Sequence, residues 1–191
     1  MDNNLNEYFN EIQQYAHFRN WAPDIDVLIS VYQKEPLSFS ILIPFLFSYL
    51  EEVIRSMTSG YTFDTRLNEN DEIFYKTGKA LIETAKEECA NKSNITEQEK
   101  QYVCNKLQEI KERYYQKSTL TNYNNRNSIM HGPLPPRFWT EDLFVQLIKQ
   151  LYILFLIHIL SPAEDVILRY SDIIPYIQRH PGGSRGAFVL L

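Results

Sequence analysis

Two long apolar segments constrain this chain more than anything else in it. Ser38 to Thr58 carries Ile41, Leu42, Phe45, Leu46, Tyr49, Leu50, Val53, Ile54 and Met57 at helical spacing, and Leu143 to Leu160 reads LFVQLIKQLYILFLIHIL, with 14 apolar residues in 18. Runs of this length and period are helices, and faces this apolar have to be buried. The rest of the chain keeps the same period. Leu5, Tyr8, Phe9, Ile12 and Tyr15 share one face of a helix over Asn3 to Phe18, broken by Trp21-Ala22-Pro23, and a short helix follows from Asp24 to about Lys34. Pro44 either sets the start of the first apolar helix or kinks it, and Gly60 ends it, before a loop carrying Asn68, Asn70 and Asp71. A helix is expected over Glu72 to Ala90. Thr96-Glu97-Gln98-Glu99 has the form of a capping box that opens another to about Lys117. Asn122 to His131 reads as a short helix stopped by Gly132-Pro133, Thr140 caps the second apolar helix, and Ser161-Pro162-Ala163-Glu164 opens one more. No run alternates with the period of two that strands require. The sequence predicts one all-α domain, a bundle of about six to eight helices with the two apolar segments at its centre.

The segment from Leu143 to Leu160 has to be tested as a membrane span. Gln146, Lys149, Gln150 and His158 interrupt it, and spanning helices want about 20 mostly apolar residues with few charges. A buried bundle helix is the reading adopted, without membrane contact. The first 20 residues are polar and lack the pattern of a signal peptide, so the protein is expected to be cytoplasmic. Cys89 and Cys104 form no CxxC and have no His pair nearby, which suits free thiols in a reducing compartment. Four ligands for zinc cannot be assembled, and no metal or other cofactor is expected. P-loop, GxGxxG, HExxH and nucleophile-elbow patterns are all missing, which disfavours motor, dehydrogenase, zinc-hydrolase and α/β-hydrolase chemistry.

Charge narrows the field further. The net charge is −5, but Lys100, Lys106, Lys111, Arg113, Lys117, Arg126 and Arg137 lie in one stretch with only Glu109 and Glu112 as acids. That leaves +5 there and −10 elsewhere, a pattern fit for a polyanion or simply for a solvated helix face. Within it stands Arg126-Asn127-Ser128-Ile129-Met130-His131, followed by Gly132-Pro133. Arg holds a phosphate by parallel hydrogen bonds and keeps its charge, and His moves protons near neutral pH. On a helix Asn127 and His131 share a face, Ile129 and Met130 turn toward packing, and Arg126 can swing to join them. Arg126, Asn127 and His131 are therefore the candidate catalytic group. Lys117 and Arg137 are candidate phosphate contacts. Glu51 is a further candidate; because neighbours on a helix diverge by about 100°, at most one of Glu51 and Glu52 faces the site. Pro133-Leu134-Pro135-Pro136-Arg137 reads as a rigid connector. His17, His158 and His180 are isolated, and Arg179, His180 and Arg185 form a small basic cluster before a flexible, Gly-rich tail.

The run R-N-x-x-x-H, with an apolar helix carrying Glu51 before it and a long apolar helix after it, resembles the HEPN superfamily (higher eukaryote and prokaryote nucleotide binding) over about residues 36 to 172. The resemblance implies an HEPN-like helical core, residues 1–35 as accessory helices, and residues 180–191 as a tail. It implies a metal-independent endoribonuclease acting as a homodimer, with two motifs facing each other across one cleft. Arg126 would stabilise the phosphate of the transition state, His131 would move a proton for 2′-hydroxyl attack or for the leaving 5′-oxygen, and Asn127 would position either. The products would be a 2′,3′-cyclic phosphate and a 5′-hydroxyl. Members commonly act in toxin–antitoxin and abortive-infection systems, so an antitoxin or defence partner is expected. Position 133 is Pro133, where one toxin branch has Tyr, so regulation through that Tyr is not expected here. Two other readings stay open. A catalytically silent HEPN-like module would keep the motif accessible for RNA, nucleotide or protein. A structural role would consume Arg126 and His131 in internal hydrogen bonds.

Overall fold

A computed structural model describes residues 3–17, 21–58, 76–117, 124–131 and 135–160. All regular structure in them is helical: α1 (Asn3–Ala16), α2 (Ala22–Lys34), α3 (Phe39–Arg55), α4 (Gly78–Asn91), α5 (Glu97–Tyr114), α6 (Arg126–Met130) and α7 (Glu141–Leu160), with 3-10 turns at Pro36–Ser38 and Pro136–Phe138. The expected stops at Gly60 and Gly132-Pro133, the loop at 68–71, the capping box at 161–164 and the basic cluster and tail beyond it lie outside the described residues, as does the side chain of His158.

The two apolar helices do form the centre: α3 packs most extensively on α7. Leu46, Phe47, Leu50, Val53 and Ile54 of α3 and Phe144, Leu147, Ile148, Leu151 and Leu154 of α7 are fully buried. Each such side chain contributes about 1.5–3 kcal/mol relative to leaving it in water. The apolar stripe of α7 is thus covered by protein. Pro36–Arg55 is, by length and composition, apolar enough to cross a membrane, but half of its most apolar window is buried inside the bundle. Its outward line, Leu37, Ile41 and Ser48, is exposed. Ile41 therefore does not belong to the core face expected of it and is 68% exposed.

The N-terminal helices share this core. Leu5, Phe9, Ile12 and Ala16 of α1 are buried against α7, and α2 packs on α1. Trp21 sets its indole against both Tyr49 and Phe155, and Tyr32 stacks on Phe144. Tyr32 also donates to Glu141 at 2.7 Å, and burial together with that bond pushes its pKa up to about 12. The thiols are free, Cys89 buried and Cys104 partly so; burial, then the neighbouring Cys104, pushes Cys89 up to about 11.

Helix ends follow local chemistry, with some differences from the sequence reading. The Thr96–Glu99 capping box is complete: Glu99 N–H donates to Thr96 Oγ1 at 3.3 Å and Thr96 N–H to Glu99 Oε2 at 2.7 Å. Thr140 Oγ1 accepts from Leu143 N–H at 3.2 Å, the expected cap of α7. Pro44 lies inside α3 rather than at its start. Of the helix expected over Glu72 to Ala90, residues 72–75 lie outside the described residues, Lys76 and Thr77 are not helical, and α4 starts at Gly78, which takes a left-handed φ of +57°. The connector carrying Arg137 is tightened into a 3-10 turn at Pro136–Phe138.

Candidate functional site

The site is built around a carboxylate that the core cannot leave alone. Glu51 belongs to the half of α3 that faces inward, and its side chain is 8% exposed. A buried carboxylate requires partners. Arg126 supplies one: its Nε lies 2.7 Å from Glu51 Oε1, with 18% of the Arg126 side chain exposed. Gly78 supplies the other, its backbone N–H donating to the same oxygen at 3.2 Å. A Cβ at Gly78 would meet Tyr115 Cδ1 at 3.6 Å, an ordinary contact. The left-handed backbone, not lack of room, is what calls for glycine there. One oxygen thereby joins α3, the start of α4 and the start of α6. Glu52 turns elsewhere and pairs with Arg55 at 2.7 Å, so of the two adjacent glutamates Glu51 is the one that meets the motif.

The motif helix is shorter than its sequence suggests. Asn125 is fully buried, with extended backbone, and its Oδ1 accepts from Ser128 N–H at 3.0 Å. A side chain that caps a helix ends it on the N-terminal side, so α6 starts at Arg126 and not at Asn122; Asn124 is not helical, and 122–123 lie outside the described residues. Ile129 is buried as expected, but Met130 is 38% exposed and does not turn toward packing. His131 falls one residue past the helix, its N–H donating to Asn127 O at 3.2 Å, and it is exposed.

The three candidate catalytic side chains go to three places. Arg126 reaches inward to Glu51. Asn127 Nδ2 donates to Gln116 O at 3.2 Å, which ties α6 to the turn after α5. His131 stands at the surface. Among the described residues no hydrogen bond or ion pair links these side chains to one another, and none engages the Nη groups of Arg126. Lys117 and Arg137 are both exposed, Arg137 over the Phe138 ring at 5.0 Å. Among the described residues no three His, Cys, Asp or Glu side chains gather as a metal site would need.

Sequence reasoning did not single out Tyr115. Its hydroxyl is buried close beside Glu51 and Arg126 and makes no hydrogen bond of ordinary geometry among the described residues, although it is near enough to Glu51 for a weak one. Burial pushes its pKa up, the Glu51 carboxylate adds to that, and Arg126 opposes it. The phenol is therefore protonated at neutral pH. Gly78 and Gln116 were missed as well. Each acts through its backbone, which no side-chain motif announces. Asn125 was legible, since Asn directly before a short apolar run is an N-cap signal.

The basic stretch is largely neutralised in place. Lys100 pairs with Glu97 at 2.7 Å, Lys106 with Glu109 at 2.8 Å, and Lys111 with Glu83 at 2.5 Å. Arg113 is hydrogen-bonded to Gln146 and lies over the Tyr114 ring. The Lys111 contact holds the Glu83 carboxyl below its usual range. Compared with known proteins, the chain matches no family model, no curated protein and no solved structure.

Proposed function

We propose that this chain is an HEPN-like, metal-independent endoribonuclease that works as a homodimer in the bacterial cytoplasm, in anti-phage defence or as the toxin of a toxin–antitoxin pair. The observation that carries this reading is the contrast within one short helix. Arg126 is fixed from behind by a buried carboxylate, while His131, one residue past the same helix, is exposed and its side chain makes no hydrogen bond or ion pair among the described residues. Using Nε for Glu51 leaves the Nη edge of Arg126 for a phosphate. His131 then takes the proton of a ribose 2′-hydroxyl, or gives one to the departing 5′-oxygen, as the 2′-oxygen bonds to phosphorus and the P–O5′ bond breaks. A second copy would supply the second proton-transfer group, so that one histidine serves as base and the other as acid. The reaction draws on no cofactor.

The test is cleavage of RNA in EDTA by the purified full chain, with end-group analysis. His131→Ala is the decisive variant, because it removes an exposed side chain and leaves the fold alone. Wild-type cleavage to 2′,3′-cyclic phosphate ends, abolished in His131→Ala, is the expected result. Equal cleavage by both proteins would sink the proposal. Arg126→Ala is less informative, since it strands Glu51; Arg126→Lys keeps the charge and removes the planar fork.

A second reading, a catalytically silent HEPN-like module that binds RNA, nucleotide or a partner protein, is favoured by one observation. Arg126 Nε and Asn127 Nδ2 are both engaged internally. It predicts binding by a folded wild type with no cleavage.

A further inference from the structure

The cations near the motif divide into two kinds, and the division does not follow the sequence. Lys100, Lys106, Lys111 and Arg126 each sit on a carboxylate. Lys117 does not, and neither does Lys79 in the first turn of α4, which the basic stretch does not include. Both are exposed and neither makes an ion pair among the described residues. Lys79 Nζ is 3.4 Å from Gln116 Oε1, Lys117 is the next residue along the chain, and Gln116 O is the acceptor gripped by Asn127. The Lys79 ammonium and the backbone of Lys117 thus belong to the same small junction as Asn127, which adjoins Arg126 in α6. The nearby carboxylates have other partners: Glu51 is held by Arg126, Glu83, one turn along α4 from Lys79, by Lys111, and Glu112, one turn before Gln116, accepts from Gln108.

We propose that Lys79 and Lys117 form a phosphate-binding rim that holds the sugar-phosphate backbone of a single-stranded nucleic acid beside the Arg126–His131 motif. A paired lysine can take a phosphate only by giving up its carboxylate, whereas these two have no carboxylate to give up among the described residues, and Lys79 holds only a long bond to a neutral amide. Lysine is a point charge on a flexible stem, suited to positioning a backbone without reading bases. This rests on the reading that the motif acts on RNA.

The experiment is anisotropy titration of the full chain against a labelled 2′-O-methyl oligoribonucleotide, whose blocked 2′-oxygen cannot attack, between 50 and 200 mM salt as roughly the range in which counterion release is read. The double variant Lys79→Gln with Lys117→Gln is compared with Lys100→Gln with Lys106→Gln. Lys79 and Lys117 are exposed, and the control lysines Lys100 and Lys106 are partly buried. Loss of two phosphate contacts is expected to weaken binding roughly tenfold near 0.15 M salt and to flatten the slope of log K against log salt by about 1.4. The control pair is expected to change affinity less than about twofold. Unchanged affinity and slope in the Lys79/Lys117 variant overturns the rim, and so does a wild type that does not bind. Parallel cleavage of ordinary RNA keeps the two proposals apart. Cleavage that is indifferent to Lys79 and Lys117 removes the rim and leaves the nuclease, while binding through the rim without cleavage removes the nuclease and leaves the rim.

Discussion

The two ends of the α4–α5 hairpin are made from the same kinds of residue and do different things. Toward the connecting turn Lys100 meets Glu97, and past the middle of α5 Lys106 meets Glu109, with the glutamates 88% and 58% exposed. At the other end, where Gly78 begins α4 and Tyr115 follows α5, a glutamate and an arginine meet in the interior. Water solvates the first kind of pair and competes with it. The second kind has no such alternative, so each partner depends on the other. A charge pair at the surface decorates a helix, whereas Glu51 and Arg126 decide where α3, α4 and α6 stand relative to one another.

The contrast predicts a large difference in cost. Removing one partner of a buried pair costs about 3–5 kcal/mol, because the other charge is left unpaired in the interior. Glu51→Ala and Arg126→Ala are each expected to fall in that range by urea denaturation. Replacing both, as Glu51→Gln with Arg126→Met, is expected to cost less than either single change. A Glu51→Ala protein as stable as wild type would erase the distinction between the two ends.

Gly78 comes next. Its N–H reaches Glu51 only because the backbone there is left-handed, a conformation costing about 1–2 kcal/mol for a residue with a Cβ. Gly78→Ala is expected to lose that much in the same measurement. A neutral Gly78→Ala would mean that the junction closes without this bond. Asn125→Ala removes the buried cap of α6 and is expected to cost about 1 kcal/mol. It also frays the turn that carries Arg126, so any RNA cleavage should fall more than the stability does.

Tyr115 sharpens the comparison from the other side. Its hydroxyl is buried without a hydrogen bond of ordinary geometry among the described residues, so Tyr115→Phe is expected to be neutral or to stabilise by about 1 kcal/mol at pH 7. The pH dependence has a definite sign. Burial raises Tyr115 above its unfolded value, and raises Tyr32 and Tyr114 to about 12. All three are neutral in both states below the unfolded pKa of about 10. Above it the unfolded chain releases its protons first, so stability falls as pH rises from about 10 through 12. Tyr115→Phe should make that fall shallower; an unchanged slope would mean that Tyr115 titrates alike in the folded and unfolded chain, and a loss of stability at pH 7 would assign the phenol a stabilising bond to Glu51.

How much of this was legible follows the same division between surface pattern and interior junction. The all-α class, the central pairing of α3 with α7, the Thr96 box and the Thr140 cap could be read, because apolar period and capping residues are local signals. The motif could be located, and one of Glu51 and Glu52 could be expected to face it. The destinations of Arg126 and Asn127 could not be read. They end on Glu51, 75 positions away, and on a backbone carbonyl at Gln116, and tertiary contacts of that kind leave no periodic trace. The length of α6 was misjudged because helical spacing runs on through Asn122–Asn125, while the Asn125 side chain competes for the backbone and starts the helix later. The basic stretch was read as one surface because sequence counts charges without seeing their partners.

The smallest expected effect is the one that tests whether those partners matter. Lys106 and Glu109 are three residues apart on one helix face, and each such pair is worth about 0.2–0.5 kcal/mol, less in salt. Lys106→Gln should therefore shift the urea midpoint barely, and by less still at 1 M salt than at low salt, roughly as a Debye length of about 3 Å demands. The Lys106 ammonium also lies 5.8 Å from the Tyr102 ring centroid, a contact the same change removes. At an exposed site that adds at most about 1 kcal/mol. A loss much larger than these two effects together, or one insensitive to salt, would mean that the outer face of α5 is held by its charges. The two ends of the hairpin would then differ in degree and not in kind. A small, salt-sensitive loss leaves the Glu51–Arg126 junction as the place where charge shapes the fold, and leaves the paired lysines of α5 as a solvated face beside the unpaired ones at Lys79 and Lys117.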